Sequence, residues 1–257
     1  MLAVFKREFF SYFKSPVGYI ALALFAFISG YQYINMYAYA TANIPSEIIT
    51  MISFFVIFVP LITMGLLSED KKRGTEILYY TTPVSLFDVV LGKFLAALSL
   101  FGIMYVNIIL HMIITKSAKG TVGIGVAGAS VVFFFVAALY IAIGLFTSAL
   151  SDSQIVSAIL SFVALLLFQM LATLSTFISS GVTSLISSGK DAESVEKVAA
   201  IGEKIANAVK WFDPLAKTQE FRYGVFSVFP LVYCVSLALI FLYLTFRVLE
   251  KKRWSQK

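Results

Sequence analysis

The chain has 257 residues, 60% of them hydrophobic and 13% charged, with a formal net charge of +6 at pH 7 and a mean hydropathy of +0.90. A soluble domain carries about 25% charged and about 45–50% apolar residues, so this balance excludes a soluble globular fold and marks an integral membrane protein. The single cysteine, Cys234, excludes an intramolecular disulfide, and the apolar stretches lack the alternation that a lipid-facing barrel requires.

Residues 1–14 place Leu2, Phe5, Phe9 and Phe13 at helical spacings on one face, with Arg7, Ser11 and Lys14 on another. The pattern predicts a helix lying in the membrane interface, carried by Phe5, Lys6, Arg7, Phe9 and Phe13, and Pro16 marks the bend into the first span. The apolar run from Val17 to Ala40 is longer than the roughly 7–15 residues of a signal-peptide core, which argues against cleavage after Ala38-Tyr39-Ala40.

Cutting the chain at every charge leaves six uncharged stretches, each long enough for the about 20 residues of a membrane helix. They predict one all-α domain over 1–257 with six transmembrane helices at about 17–40, 48–67, 94–115, 129–150, 155–178 and 227–247. The cut between the first two falls at Glu47, and no stretch holds an Asp, Glu, Lys or Arg, so no site for a coupling ion is expected inside the membrane. The interior polar residues are then Gln32, Asn35, Asn107, His111 and Gln169, each of which lines a path or ties one helix to another. Gly125 with Ala129, and Gly144 with Ser148, have the spacing that permits close helix contact.

Between spans two and three, Glu69, Asp70, Lys71, Lys72, Arg73 and Glu76 break the apolar pattern. At about 2.5 kcal/mol per charge near a bilayer centre, six charges would cost on the order of 15 kcal/mol, so the segment lies in water. Lys71 to Arg73 suit a helix C-terminus, Gly74 a left-handed stop, and Thr75 the cap of a short helix that ends before Pro83. Ser85 and Asp88 have capping-box spacing for a helix leading through Lys93 into the third span. The apolar Ile77 to Tyr80 needs a surface to dock on, either lipid or a second protein. In the loop 180–226, Val195, Val198, Gly202, Ile205, Val209 and Phe212 recur at three and four, with Ser188 and Asp191 spaced as a cap, and predict an external amphipathic helix before the last span.

Twelve of the twenty Lys and Arg lie in the N-terminus, the 68–93 loop, the 148–154 turn and the C-terminus, which puts these segments and both termini in the cytoplasm. The basic charge therefore reflects orientation, and no nucleic-acid motif is present. Gly92-Lys93 is followed by Phe94 and lacks the earlier glycine of an ATP-binding loop, and one histidine cannot build a metalloprotease site. No metal-binding or catalytic residues are expected.

Three blocks, "KREFFSYFKSPVGYI", "SEDKKRGTEILYYTTPVSLFDVVLGKF" and "WFDPLAKTQEFRYGVF" with "FRVLEKKRW", make the chain resemble, over nearly its whole length, a type-2 ATP-binding-cassette (ABC) exporter permease. The similarity is greatest to the gliding-motility-associated permease branch. It implies a non-enzymatic, multi-pass subunit of the bacterial cytoplasmic membrane, surrounded by lipid, that exports a substrate. It also implies a second permease subunit, of the same or a related chain, and two copies of a cytoplasmic ABC ATPase that hold the ATP and Mg; an additional extracellular or auxiliary subunit is compatible with this arrangement. By position, residues 2–14 are the family's elbow helix, and Glu69, Arg73, Gly74, Thr75, Glu76, Ile77, Leu78 and Tyr79 are its ATPase-coupling helix. The alternatives from other classes are an ATP-independent channel or carrier and a membrane scaffold for a cytoplasmic complex.

Overall fold

In the computed structural model, residues 1–38, 43–77, 85–120, 122–123, 125–186, 204 and 213–255 are described, and all regular structure among them is helical. The elements are α1 (Leu2–Lys14), α2 (Pro16–Ala38), α3 (Ile44–Ser53), α4 (Phe55–Thr63), α5 (Ser68–Lys72), α6 (Leu86–Ser117), α7 (Gly125–Leu150), α8 (Gln154–Ile186), α9 (Pro214–Thr218), a 3-10 helix (Gln219–Tyr223) and α10 (Phe229–Ser255). Five helices, α2, α6, α7, α8 and α10, are long and apolar enough to cross a membrane, and the bent pair α3–α4 would make a sixth span.

The bundle is organised around α7, which is apolar on every side and packs against α3, α4, α6, α8 and α10. Of its membrane-length window 67% is buried, against 17% for α8, so α7 is the core and α8 a rim helix. Close approach of α7 to α4 depends on Gly144, because a Cβ there would collide with the Thr63 side chain. The four-residue pair Gly144 and Ser148 thus marks a real contact, and Gly125 at the other end of α7 lies against the backbone of Gly224.

The second span differs most from the sequence reading. It begins at Ile44 rather than 48, bends by 54° at Phe54, and is interrupted again over Met64–Leu67 before α5. At the first break the Ile57 amide turns to the Phe54 carbonyl at 2.9 Å, leaving the Ser53 carbonyl without a donor from its own helix. Gln169 of α8 supplies one, at 2.6 Å. At the second break the Ser148 hydroxyl of α7 accepts from the amides of Leu67 (3.0 Å) and Ser68 (3.1 Å) and donates to the Met64 carbonyl (3.2 Å). Lys93 of α6 donates to the Leu66 carbonyl, and Tyr12 of α1 to the Ile62 carbonyl at 3.1 Å. Side chains from four other helices thus replace the backbone bonds that the interruptions remove, which is the condition for broken helices away from water.

The external amphipathic helix lies outside the described residues except for Lys204, which is helical and exposed. The following segment is described: α9 and the 3-10 helix pack against α3 and bury Asp213, Thr218 and Phe221.

Candidate coupling site and the buried charges

The charged loop after the second span is tied to α1 and α6 through a buried lysine. Lys93 is 1% exposed, and its Nζ lies 2.6 Å from Asp70 Oδ2 and 3.0 Å from Glu8 Oε1. Arg7 completes the cluster, with Nη2 2.5 Å from Glu8 Oε1 and 3.6 Å from Asp70 Oδ2. Three segments therefore meet here: α1 through Arg7 and Glu8, α5 through Asp70, and the base of α6 through Lys93. A buried charge is tolerated only when paired and hydrogen-bonded, and Lys93 has two carboxylates and a carbonyl.

Asp70 also shapes the turn that follows. Its carbonyl accepts from the amides of Thr75 (2.9 Å) and Glu76 (3.4 Å), and its Oδ1 accepts from the Thr75 hydroxyl at 2.9 Å. The Thr75 side chain thus points back to α5. Gly74 takes the left-handed conformation, φ 70°, that ends α5, and Arg73 pairs with Glu69 at 2.5 Å across one helical turn. Arg73, Gly74 and Ile77 are exposed, Thr75 is half-buried, and Glu76 is half-buried with its Oε2 shielded. Leu78 and Tyr79 lie outside the described residues. A cavity of about 320 Å³ opens beside this turn, between α1 and the α4–α5 interruption, lined by Tyr12, Ser15, Gly65, Glu69, Arg73 and Gln154.

The same end of the bundle gathers the α7–α8 turn and the end of α10. Lys71 Nζ donates to the carbonyls of Ala149 and Ser151 and lies 3.6 Å from Asp152 Oδ1, which Lys252 of α10 also reaches at 3.3 Å. The hydrogen bond from Lys252 holds the Asp152 carboxyl below the usual carboxylate range.

Helix α1 is seated differently from the sequence pattern. Its buried residues are Glu8 and Tyr12; Phe5, Phe9 and Phe13 are half-buried in a row against the core, the first two stacked and the last two edge-on, and Leu2, Lys6 and Arg7 are exposed. The predicted stripe is displaced toward the polar side because Glu8 and Tyr12 have polar partners to reach in α6 and α4.

The interior polar residues divide into four groups. Gln169 ties α8 to the Ser53 carbonyl. Asn35 is exposed and donates to the Tyr31 carbonyl of its own helix, at 2.8 Å. Gln32 and Asn107 are half-buried, and Gln32 Oε1 and Asn107 Nδ2 are shielded without a hydrogen bond. His111 is buried, and its partner overturns an expectation: Glu47, assigned above to a link between spans, is fully buried in the first turn of α3 with Oε1 2.6 Å from His111 Nδ1. The Ser29 hydroxyl donates to the same oxygen at 2.8 Å. The interior of the bundle therefore does hold an acid.

Cutting at every charge hides such residues, because it assigns each to a boundary by construction. The neighbours gave a usable signal. Glu47 is surrounded by the buried Ile44, Ile48, Ile49 and Met51, Lys93 by Val89, Val90, Ala96 and Ala97, and a charge inside an apolar stripe requires a buried partner.

Among the described residues no group of His, Cys, Asp and Glu could hold a metal ion. No curated protein matches the chain. A family model described as ABC-2 family transporter protein matches residues 2–254, nearly the whole sequence. With its apolar helices, that match places the chain in the ABC-2 family: it is a multi-pass membrane permease subunit of an ABC transporter.

Proposed function

We propose that this subunit exports its substrate using ATP hydrolysed by a separate cytoplasmic ATPase, and that residues 69–79 with α1 receive the ATPase motion. The observation that carries this reading is the Lys93 cluster. Because Lys93 joins α5 to α1 and to the base of α6, a force applied at the exposed Arg73 and Ile77 is transmitted to an elbow helix and a membrane helix together. The ATPase faces this end, both termini are cytoplasmic, and the shared end of Arg7, Asp70, Asp152 and Lys252 supports placing them on one side. Two ATPase copies, with their ATP and Mg, serve this chain and a second permease. The exposed apolar side of α8, including Ile155, Ile159, Val163 and Leu167, supports a helix-lined partner there.

Co-expression with candidate ATPases tests the assignment. An ATPase is expected to co-purify, and charge reversal at Arg73 and Glu76 is expected to weaken both its association and its stimulation. An ATP-independent carrier or a scaffold would show neither. Cysteines introduced at Lys72 and Lys197 are expected to react with an impermeant thiol reagent from opposite sides, against a silent background because Cys234 is buried.

A further inference from the structure

The Lys93 cluster has a function in the reading above, whereas the second buried acid has none. Glu47 is 0% exposed, and its Oε2 has no hydrogen bond. Its one ion-pairing partner among the described residues is His111, the only histidine in the chain. The His111 ring stacks on Tyr33 with centroids 4.3 Å apart and planes at 9°, and the Tyr33 hydroxyl shares a hydrogen bond of 2.8 Å with Thr115. The acid comes from α3, the histidine from α6, and Ser29 and Tyr33 from α2.

The other groups around α3 do not neutralise Glu47. Tyr105 of α6 lies within its electrostatic reach. Arg222 of the 3-10 helix stops one turn away, at Thr50, 3.4 Å from its hydroxyl, and makes no ion pair with Glu47. Lys217 of α9 lies over the rings of Phe229 and Tyr233, and Asp213 is buried just before that helix. Neither α4 nor α7 contains a charged residue, and Tyr140 is the titratable group of α7.

We propose that Glu47 and His111 form a proton-binding site whose one shared proton keeps α3 docked on α2 and α6. With one proton the pair is neutral overall, whichever atom carries it. A second proton taken from water leaves a buried cation and loss of the shared proton leaves a buried anion, and either uncompensated charge is costly away from water. The 54° bend at Phe54 separates α3 from α4, so α3 can leave the bundle while the charged end stays assembled. The site is a property of this chain alone and does not depend on an ATPase.

The test is amide hydrogen exchange of the full chain in lipid nanodiscs, expressed as protection factors, between about pH 5 and about pH 9. Protection of α3 is expected to be bell-shaped in pH, falling about tenfold at each end, with α7 protection flat as the control for global unfolding. Glu47→Gln and His111→Asn are each expected to flatten the α3 profile. A flat wild-type profile, a bell shared by α7, or a bell that survives in either folded variant would overturn the proposal. Because the wild-type profile is decisive by itself, failure of one variant to fold leaves the test intact.

Discussion

The two ends of the broken second span solve the same problem, a buried charge, in opposite ways. At α5, Asp70 meets a lysine that also binds Glu8 and a backbone carbonyl. At α3, Glu47 meets a histidine and a serine, with one carboxylate oxygen left over. Lys93 is held by two carboxylates and a backbone carbonyl at once, so the first cluster is a fixed joint among α1, α5 and α6. The Glu47–His111 pair has one carboxylate oxygen unused and fewer partners, so the second joint is the one that the proposed shared proton would govern. The proposed coupling would use both kinds, a rigid joint where force enters and a changeable one where the bundle opens.

The largest effect is expected at the fixed joint. Lys93→Met leaves Glu8 and Asp70 with only the half-exposed Arg7 as cation and is expected to cost about 3–5 kcal/mol, read as a lower unfolding midpoint in mixed micelles. Adding Glu8→Gln and Asp70→Asn to that variant is expected to recover part of the loss; no recovery would mean that Lys93 acts by packing alone. At the changeable joint, Glu47→Ala is expected to cost less, about 1–3 kcal/mol, because it removes the contacts to His111 and Ser29 and leaves no pair of buried carboxylates behind. If Glu47→Ala proved the more damaging of the two, the contrast between the joints would be reversed.

The sequence made the membrane class, most of the spans and the charged loop legible, because composition and run length respond directly to the bilayer. The stop at Gly74 and the cap from Ser85 to the Asp88 amide, 3.0 Å long, were also readable, since both are local events. The two breaks in the second span were not. They depend on Gln169, Ser148, Lys93 and Tyr12, which lie more than 40 residues away in every case except Lys93, and even Lys93 is 27 positions from its carbonyl. Hydropathy records whether a stretch can leave water and contains no information about which remote side chain will replace a lost backbone bond. The face of α1 was misplaced for the same reason: Glu8 reads as polar until Lys93 is known to wait beneath it.

These remote side chains give the third comparison, between a break patched by one neutral group and a joint made by charges. Gln169→Leu leaves the Ser53 carbonyl unpaired and is expected to cost about 1–3 kcal/mol, at the low end because the site is half-buried. Its signature is local: faster amide exchange around Phe54 and Ile57 with the Lys93 cluster unchanged. Unchanged exchange there would show that the bend does not depend on α8.

The smallest effect is expected at Asp152, where the carboxylate that joins Lys252 to Lys71 is 75% exposed. Its folded-state affinity for protons is lowered by the Lys252 hydrogen bond, so its contribution is present above the ordinary carboxylate range and is lost as pH falls through the folded value. Solvent and salt screen an exposed pair, so acidification should loosen the end of α10 near Lys252 without unfolding the bundle. Asp152→Asn is expected to show that looseness at neutral pH and to remove its pH dependence, measured by exchange of the amides from Arg247 to Arg253. Residual pH dependence in that variant would show that the Asp152 tie is not its source. The outcome also separates the two ends again: a tie lost only in acid belongs with the exposed charges of the loop, whereas loss at both extremes of pH belongs with a buried pair that shares one proton.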